Sequence, residues 1–593
     1  MVTVMNQQAI APSSLHGDGM EGQGAGSSEW PWRIAIAALV IAAFAGVLSA
    51  GFVSWDDPRN IYENPHLGLG AKQVHWMFTD SSYVRRYMPL GWFSYSVDRV
   101  LFGGSPASYH AGNLLLHIAN ALLLFAILQR LMSLSTAPQG SADKRRLAAC
   151  AALATLFWAL NPLRVEPVAW ASARIYCVAG FFALLSIWAY LRATTGNSSP
   201  RRGPFWLSVG AYGVSVFTYP ITLAVPVVLL AIDIFGSRRL PHDPLSWWSP
   251  TARRVLLEKA WFLVPAALML AATLNAKLSN GQLEPIVGLD QFSVSQRLMQ
   301  GFYIIGYYFW KPWLPDSLAP KYPALLDVNP VSICFVGSAA LVAGITVLVW
   351  LRRRTSPLLA GAWMAHVALL FPVLGLMEHP HHAFDRYSYF QGTIWAVVVG
   401  SVLWKWSGVP RTRSALLIAV GGMGIIFGGM TFAQVKVWNN SLSLQTRMVK
   451  SLEGHAEAAL HETVRGVLFM KRGEPAAAEA AFRHAIQLNA ALAEPWRNLG
   501  DVLTDQHRME PALECYREAI RLNPSDVGSR LNLSIALGNS GKLEDAAAEL
   551  QRALTLHPGH AGAHHNLAVT LKLLGRTNEA REHHDQAERL RIQ

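Results

Sequence analysis

Two adjacent carboxylates, Asp56 and Asp57, follow an apolar run from Ile34 to Val53, and Pro58 comes directly after them. At the head of a long loop beside a membrane, such a pair can act as a general base, hold a metal ion, or form a solvated turn started by Asp before Pro. Further polar groups of chemical interest recur along the chain. His110, Asn113, His117 and Asn120 fall at helical spacing and share one face. His110 and His117 are two turns apart, roughly 10 Å, too far to share a metal without other ligands. Hydrogen bonds to neighbouring helices are the plain use of such a stripe. Asn161-Pro162-Leu163-Arg164-Val165-Glu166 fills a short turn between apolar runs, and Thr218-Tyr219-Pro220 fills another. The stretch from Glu378 to Tyr387 adds Glu378, His379, His381, His382, Asp385 and Arg386. Its histidines could hold a divalent metal or line a solvated loop, so no metal or cofactor is assigned. Arg174 lies at the start of an apolar run, where a buried guanidinium needs an anion: Glu166 or a phosphate.

The elements that position these residues are membrane helices. The chain has 593 residues, 52% hydrophobic and 15% charged, with 21 Trp; soluble domains average about 25% charged. Its net charge of +12 sits in short loops between apolar runs, as orientation in a bilayer requires. No basic helix face interleaved with aromatics suggests nucleic acid. The four cysteines form no CxxC, which argues against a zinc site or a disulfide framework. Residues 1–32 read as a disordered Gly/Ser/Gln-rich tail, 33–437 as a multi-span membrane module, and 438–593 as a separate helical domain.

Apolar runs near 34–53, 112–131, 147–163, 168–190, 205–218, 220–236, 261–276, 332–351, 358–376, 389–404 and 414–434 give about eleven spans. Gly301–Trp313 is dense in aromatics and reads as an interfacial helix. With that count, the clusters Lys144–Arg146, Arg201-Arg202, Arg238-Arg239, Arg352–Arg354 and Lys405–Arg413 all face the cytoplasm. The N-terminus is then cytoplasmic. The Asp56–His110 loop, Glu166, Thr218 and the Asp385 loop all face outward, together with the C-terminal domain.

That C-terminal domain repeats with a period of 34 residues. Trp496, Leu499, Gly500, Leu503, Ala512, Tyr516, Ala519 and Pro524 match the tetratricopeptide pattern in type and spacing. The same register returns at Leu533, Ser534, Ala546 and Leu550, again at Leu567, Ala568, Ala580 and His584, and upstream at Gly466, Ala478 and Phe482. About four such units form an α-solenoid with a concave groove suited to an extended peptide. The fold class is therefore all-α, a polytopic membrane bundle followed by a tetratricopeptide solenoid.

In order, the chain carries Trp55-Asp56-Asp57, Asn60-Ile61-Tyr62, Tyr87-Met88-Pro89-Leu90, Asp98, His110-Ala111-Gly112-Asn113 with His117, Asn161–Trp170, Arg174 and Asp385-Arg386-Tyr387. This series ahead of tetratricopeptide repeats resembles the transmembrane-and-tetratricopeptide-repeat family of GT-C glycosyltransferases, similar in fold to protein O-mannosyltransferases. The resemblance implies transfer of a sugar from a polyprenyl-phosphate donor to a hydroxyl of a protein or glycan, with the repeats recruiting the acceptor. It implies Asp56 or Asp57 as base, with Glu166 positioning the acceptor or Arg174. It implies Arg174, His117, Arg86 and Arg386 around the donor phosphate, and His110, Asn113 and Asp385 as polar supports. The chain departs from the family at Met88, where an Arg is usual and Arg85 or Arg86 could substitute. It departs again at Asn161, where a His is common, and at Thr218-Tyr219, where a Lys is common. A bacterial inner membrane with periplasmic repeats is the expected setting, and a membrane-anchored scaffold without catalysis is the alternative. A cysteine introduced in the repeats should react with an impermeant thiol reagent in cells whose inner membrane is intact; labelling only after that membrane is permeabilised would reverse the orientation.

Overall fold

The computed structural model describes residues 29–136, 138, 140–195, 200–278, 288–376 and 381–592, and every regular element among them is helical. Most of the expected 1–32 tail lies outside the described residues, and its last residues already belong to the first helix, Trp30–Phe44.

Six helical stretches are long and apolar enough to cross a bilayer: Trp30–Ser49, Pro106–Leu134, Ala171–Thr194, Pro250–Ala276, Ile333–Arg352 and Arg413–Trp438. The pair Gly140–Ala159 and Pro162–Ala169, bent by 58°, makes a seventh if taken as one broken span. About eleven spans were expected, and by length and composition six or seven stretches among the described residues qualify. Pro220–Gly236 and Pro357–Val373 are apolar but shorter, and the helices Arg202–Thr218 and Thr393–Ser407 have 17 and 15 residues. At 1.5 Å per residue such lengths fall short of a hydrocarbon core of about 30 Å. Proline explains part of the difference. Pro162, Pro220 and Pro372 each stand in short 3-10 turns, where a ring without an N–H interrupts what an apolar run alone reads as continuous. The parity that put the repeats outside rested on eleven spans, so it no longer assigns a side.

The helix Arg174–Thr194 runs along both Arg202–Thr218 and Pro106–Thr136, and the first helix packs on Pro106–Thr136 and on the last long helix, Pro410–Val435. The two ends of the membrane region are stitched together. The Gly51 amide donates to the Asn439 carbonyl at 3.0 Å, and the Ser54 amide donates to Ser441 Oγ at 2.8 Å. Above that seam Trp55, Trp170 and Trp438 form one aromatic stack, with ring centroids 5.6 to 6.4 Å apart.

Four helix pairs follow in the repeat region: Ala458–Lys471 with Pro475–Leu488, Ala493–Asp505 with Met509–Leu522, Val527–Asn539 with Leu543–Leu556, and Ala561–Leu573 with Thr577–Ile592. The 34-residue register has a steric cause. Gly500 faces the Tyr516 ring, and a Cβ there would sit 2.6 Å from it; Gly466 faces Phe482 in the same way. Where the facing residue is smaller or more flexible, as with Leu550 or His584, Ser534 and Ala568 take the glycine's place. Gly500→Ala should therefore cost about 1–3 kcal/mol by overpacking, read as a lower unfolding midpoint, and adding Tyr516→Leu should restore most of it; an unchanged midpoint for Gly500→Ala would refute the steric account.

Candidate active site

The loop after the first span turns back so that its two acidic residues have different fates. Asp57 is fully buried. One oxygen accepts from the Val53 amide at 2.9 Å, and the other accepts from the Ser172 amide at 3.0 Å and Ser172 Oγ at 2.5 Å. Ser172 is itself held, because its carbonyl accepts from Tyr95 Oη at 2.5 Å. Burial pushes the Asp57 carboxyl up from 3.8 to about 6, against the lowering effect of the Ser172 and Val53 hydrogen bonds. Asp56 points the other way. Its side chain is 27% exposed and its carboxylate lies 3.4 Å from an Arg86 nitrogen. That guanidinium lies in the field of the Tyr219 and Tyr176 hydroxyls and of Arg386.

Arg386 is the second cation of this region. It pairs with buried Glu166, its amide donates to Glu166 Oε2 at 2.9 Å, and its Nε donates to the Tyr176 hydroxyl at 3.2 Å. The guanidinium lies 3.5 Å from the Phe384 ring centroid and 5.3 Å from that of Trp170. Tyr176 and Tyr219 meet edge to face at 5.0 Å. Asp385 is buried and accepts from the Tyr322 hydroxyl at 2.9 Å; burial, then the Glu166 charge, push its carboxyl well above the usual range. Asp56, Arg86, Tyr176, Tyr219, Arg386 and Glu166 thus form one connected group.

Arg174 stands apart from that group. Its anion is Asp98, at 2.6 Å, rather than Glu166. Its remaining donors go to Asn113 Oδ1 at 3.0 Å and the Tyr109 and Ser94 carbonyls at 2.8 and 3.3 Å. Gly112 makes the crossing possible, since any Cβ there would collide with the guanidinium. The polar stripe on Pro106–Thr136 ties this helix to its neighbours. His110 Nε2 meets the Gly51 carbonyl at 3.4 Å, and Asn113 donates to the Trp170 carbonyl at 3.1 Å. His117 bridges the Tyr389 hydroxyl at 2.9 Å and the Ala159 carbonyl at 3.0 Å, and Asn120 donates to the Cys177 carbonyl at 3.0 Å.

Two further residues, Ser172 and Arg164, hold the site's surroundings together. Ser172 carries no sequence signal, because a lone serine in an apolar stretch is common. Arg164 was visible in its motif. It is buried between the Trp158 and Tyr389 rings, and it donates to Ser388 O and Oγ at 2.5 and 2.9 Å. Among the described residues no group of three or more His, Cys, Asp or Glu is placed to hold a metal ion. Glu378 and His379 lie outside the described residues. His381 meets the Val373 carbonyl at 3.0 Å.

Together these features define a multi-pass, all-helical membrane protein with C-terminal tetratricopeptide helices. Residues 493–526 and 539–589 match tetratricopeptide repeat models. The chain is 29% identical over 213 residues to protein O-mannosyl-transferase TMTC2 from Homo sapiens, a match covering 34% of this chain and 24% of that protein. It is 25% identical over 136 residues to protein O-mannosyl-transferase Tmtc3 from Drosophila melanogaster, covering 22% and 15%. The chain thus spans about a quarter of the TMTC2 length, and at the family or superfamily level it is similar to the O-mannosyltransferases of this type. Among solved structures, MamA from Desulfovibrio magneticus RS-1 is 18% identical over 26% of this chain, with a TM-score of 0.24.

The Asp57 environment has a measurable consequence. Because its folded-state pKa is raised, the stabilising contribution is complete below about 3.8 and is lost as pH rises through about 6. The displacement corresponds to about 3 kcal/mol. The unfolding midpoint of the wild type relative to Asp57→Asn should fall between pH 4 and 6 and then level off; a flat difference would mean that Asp57 titrates like an exposed carboxyl.

Proposed function

We propose that this chain is a membrane glycosyltransferase that moves a sugar from a polyprenyl-phosphate donor to a hydroxyl of a protein or glycan acceptor. The carrying observation is the division of labour in the acidic pair: Asp57 has both oxygens filled by buried donors, whereas Asp56 is partly exposed beside Arg86. In this reading Asp56 is the base. It takes the acceptor proton as the acceptor oxygen bonds to the anomeric carbon and the bond from that carbon to the phosphate oxygen breaks. One direct displacement inverts the anomeric configuration. Arg86, whose contact with Asp56 is long, turns to the departing phosphate and neutralises its charge, with Arg386 behind it. Glu166 and Tyr176 hold Arg386, and Asp385 supports the adjoining turn.

Arg174 and His117 take structural roles here, because their polar atoms are committed to Asp98, Asn113, Tyr389 and backbone carbonyls. His110 and Asn113 belong with them. A membrane module over 33–437 does the chemistry at the outer face of a bacterial inner membrane, and the repeats of 438–593 present the acceptor from the periplasm. Contacts between the two regions support this division. Lys321 pairs with Glu457, and Arg447 donates to the Leu318 carbonyl at 2.8 Å, so the loop that supplies Tyr322 to Asp385 also touches the helices leading into the repeats. A non-catalytic scaffold is favoured by one observation: Thr218-Tyr219 stand before Pro220 where the family resembled commonly has a lysine, which leaves fewer cations for a phosphate.

Asp56→Asn should lower sugar transfer by about a hundredfold or more in protein that still extracts and melts like the wild type, whereas Asp57→Asn should lower the melting midpoint as well. Unchanged transfer by Asp56→Asn, scored by comparing glycans and glycoproteins of cells carrying each variant, would leave the scaffold reading standing.

A further inference from the structure

We propose that the bundle holds a second ligand, an anionic phospholipid, in a cavity at the end opposite Asp57. The cavity measures about 830 Å³, within the span of small-molecule sites, about 300–1,000 Å³. Its wall is apolar, with Leu128, Ile187, Ala231, Ala362 and Val398 from five different helices. Its position follows from one helix. His110 of Pro106–Thr136 touches the Gly51 carbonyl near Asp57, and Leu131 of the same helix lines the cavity. Twenty-one residues at the α-helical rise separate them by about 30 Å, the thickness of a bilayer's hydrocarbon core. The cavity therefore lies at the depth of the opposite leaflet.

Charge decides the occupant. Arg238 and Lys405 border the cavity and are exposed, with the hydroxyl residues Ser237, Thr355 and Ser356 beside them. Among the described residues no carboxylate lines the cavity, and neither cation makes an ion pair. The nearby acids are already used. Arg239 pairs with Asp233 at 3.3 Å and Glu258 at 2.8 Å, and Lys259 reaches the other Asp233 oxygen at 2.5 Å. Arg238 has a φ of 54°, a left-handed conformation that non-glycine residues seldom adopt. This reversal separates the two neighbours, with Arg239 turned into the buried network and Arg238 on the rim. Unpaired cations and hydroxyls around an apolar hollow suit a phosphodiester at the mouth and acyl chains within. Basic pockets between membrane helices bind anionic headgroups in this manner. A zwitterionic lipid such as phosphatidylcholine also carries a phosphodiester, but its own ammonium offsets that charge and has no carboxylate among the described rim residues to meet it, whereas a soluble phosphate would leave the apolar wall unfilled. The site is independent of sugar transfer.

The test is native mass spectrometry of the full chain released from nanodiscs of phosphatidylcholine and phosphatidylglycerol mixed three to one by design, roughly the anionic content that gives membranes their surface potential. The wild type should retain phosphatidylglycerol selectively. Arg238→Gln with Lys405→Gln should reduce that retention about thirtyfold, as expected for two cations near a membrane surface. Ala362→Trp, which fills the hollow and leaves the rim charges in place, should reduce it as well. Equal retention of both lipids by the wild type, or undiminished phosphatidylglycerol in the rim variant, would overturn the proposal. So would a stabilisation by inorganic phosphate alone that matches that by phosphatidylglycerol. The rim substitutions are at exposed side chains, so the variant should fold even if Ala362→Trp does not.

Discussion

The Asp57 carboxylate joins two stretches of chain 115 residues apart in sequence. Val53 and Ser172 each bring an amide that burial has cut off from water, and Ser172 adds its hydroxyl. Left unpaired, each would cost about 1–3 kcal/mol, so the loop after the first span and the turn before Arg174 hold one another in place. The bond then propagates. Ser172 accepts from Tyr95, Tyr95 accepts from Tyr109, and the Tyr109 carbonyl receives Arg174, whose charge is met by Asp98. With three of its acceptor sites engaged and its side chain fully buried, this carboxylate is committed to the fold. Its neighbour Asp56, fixed in direction by the same turn, is left free to face outward.

The same contrast separates the arginines. Arg164 and Arg174 are surrounded by carbonyls, rings and, for Arg174, one carboxylate; they hold helices together from inside. Arg86 is 41% exposed and its ion pair is long, so part of its guanidinium is open to whatever enters beside it. Arg386 is intermediate, tied to Glu166 on one side and lying over Phe384 and Trp170 on the other. Exposure and spare hydrogen-bonding capacity, more than residue type, distinguish groups available to a ligand from groups consumed by the fold.

What could be read from the chain followed its physical regularities. The repeats were legible because close helix packing demands a small residue opposite a large one at a fixed interval, as Gly500 and Tyr516 illustrate. Membrane residence was legible from hydropathy, but the number of long helices was not, since Pro162 and Pro220 interrupt runs that composition alone joins. The placement of Asp56-Asp57 in the turn after the first long helix was legible from position. The partnerships were not: Glu166 meets Arg386 rather than Arg174, and Arg174 meets Asp98, because these pairs depend on how helices far apart in sequence lie in register. Ser172 left no trace in the sequence, since its role exists only once the Asp57 loop has folded onto it.

The seam of Gly51 with Asn439 and Ser54 with Ser441, capped by Trp55 and Trp438, binds the first helix of the membrane region to the segment after the last. A ribosome delivers these partners almost 400 residues apart. The loop carrying Asp56 thus meets Ser172 early but waits through every intervening helix for Asn439 and Ser441. This corner of the membrane region closes only when its last segment arrives, and a nascent chain arrested before Trp438 holds the acidic pair anchored to Ser172 but lacks the Trp438 face of the stack beside it.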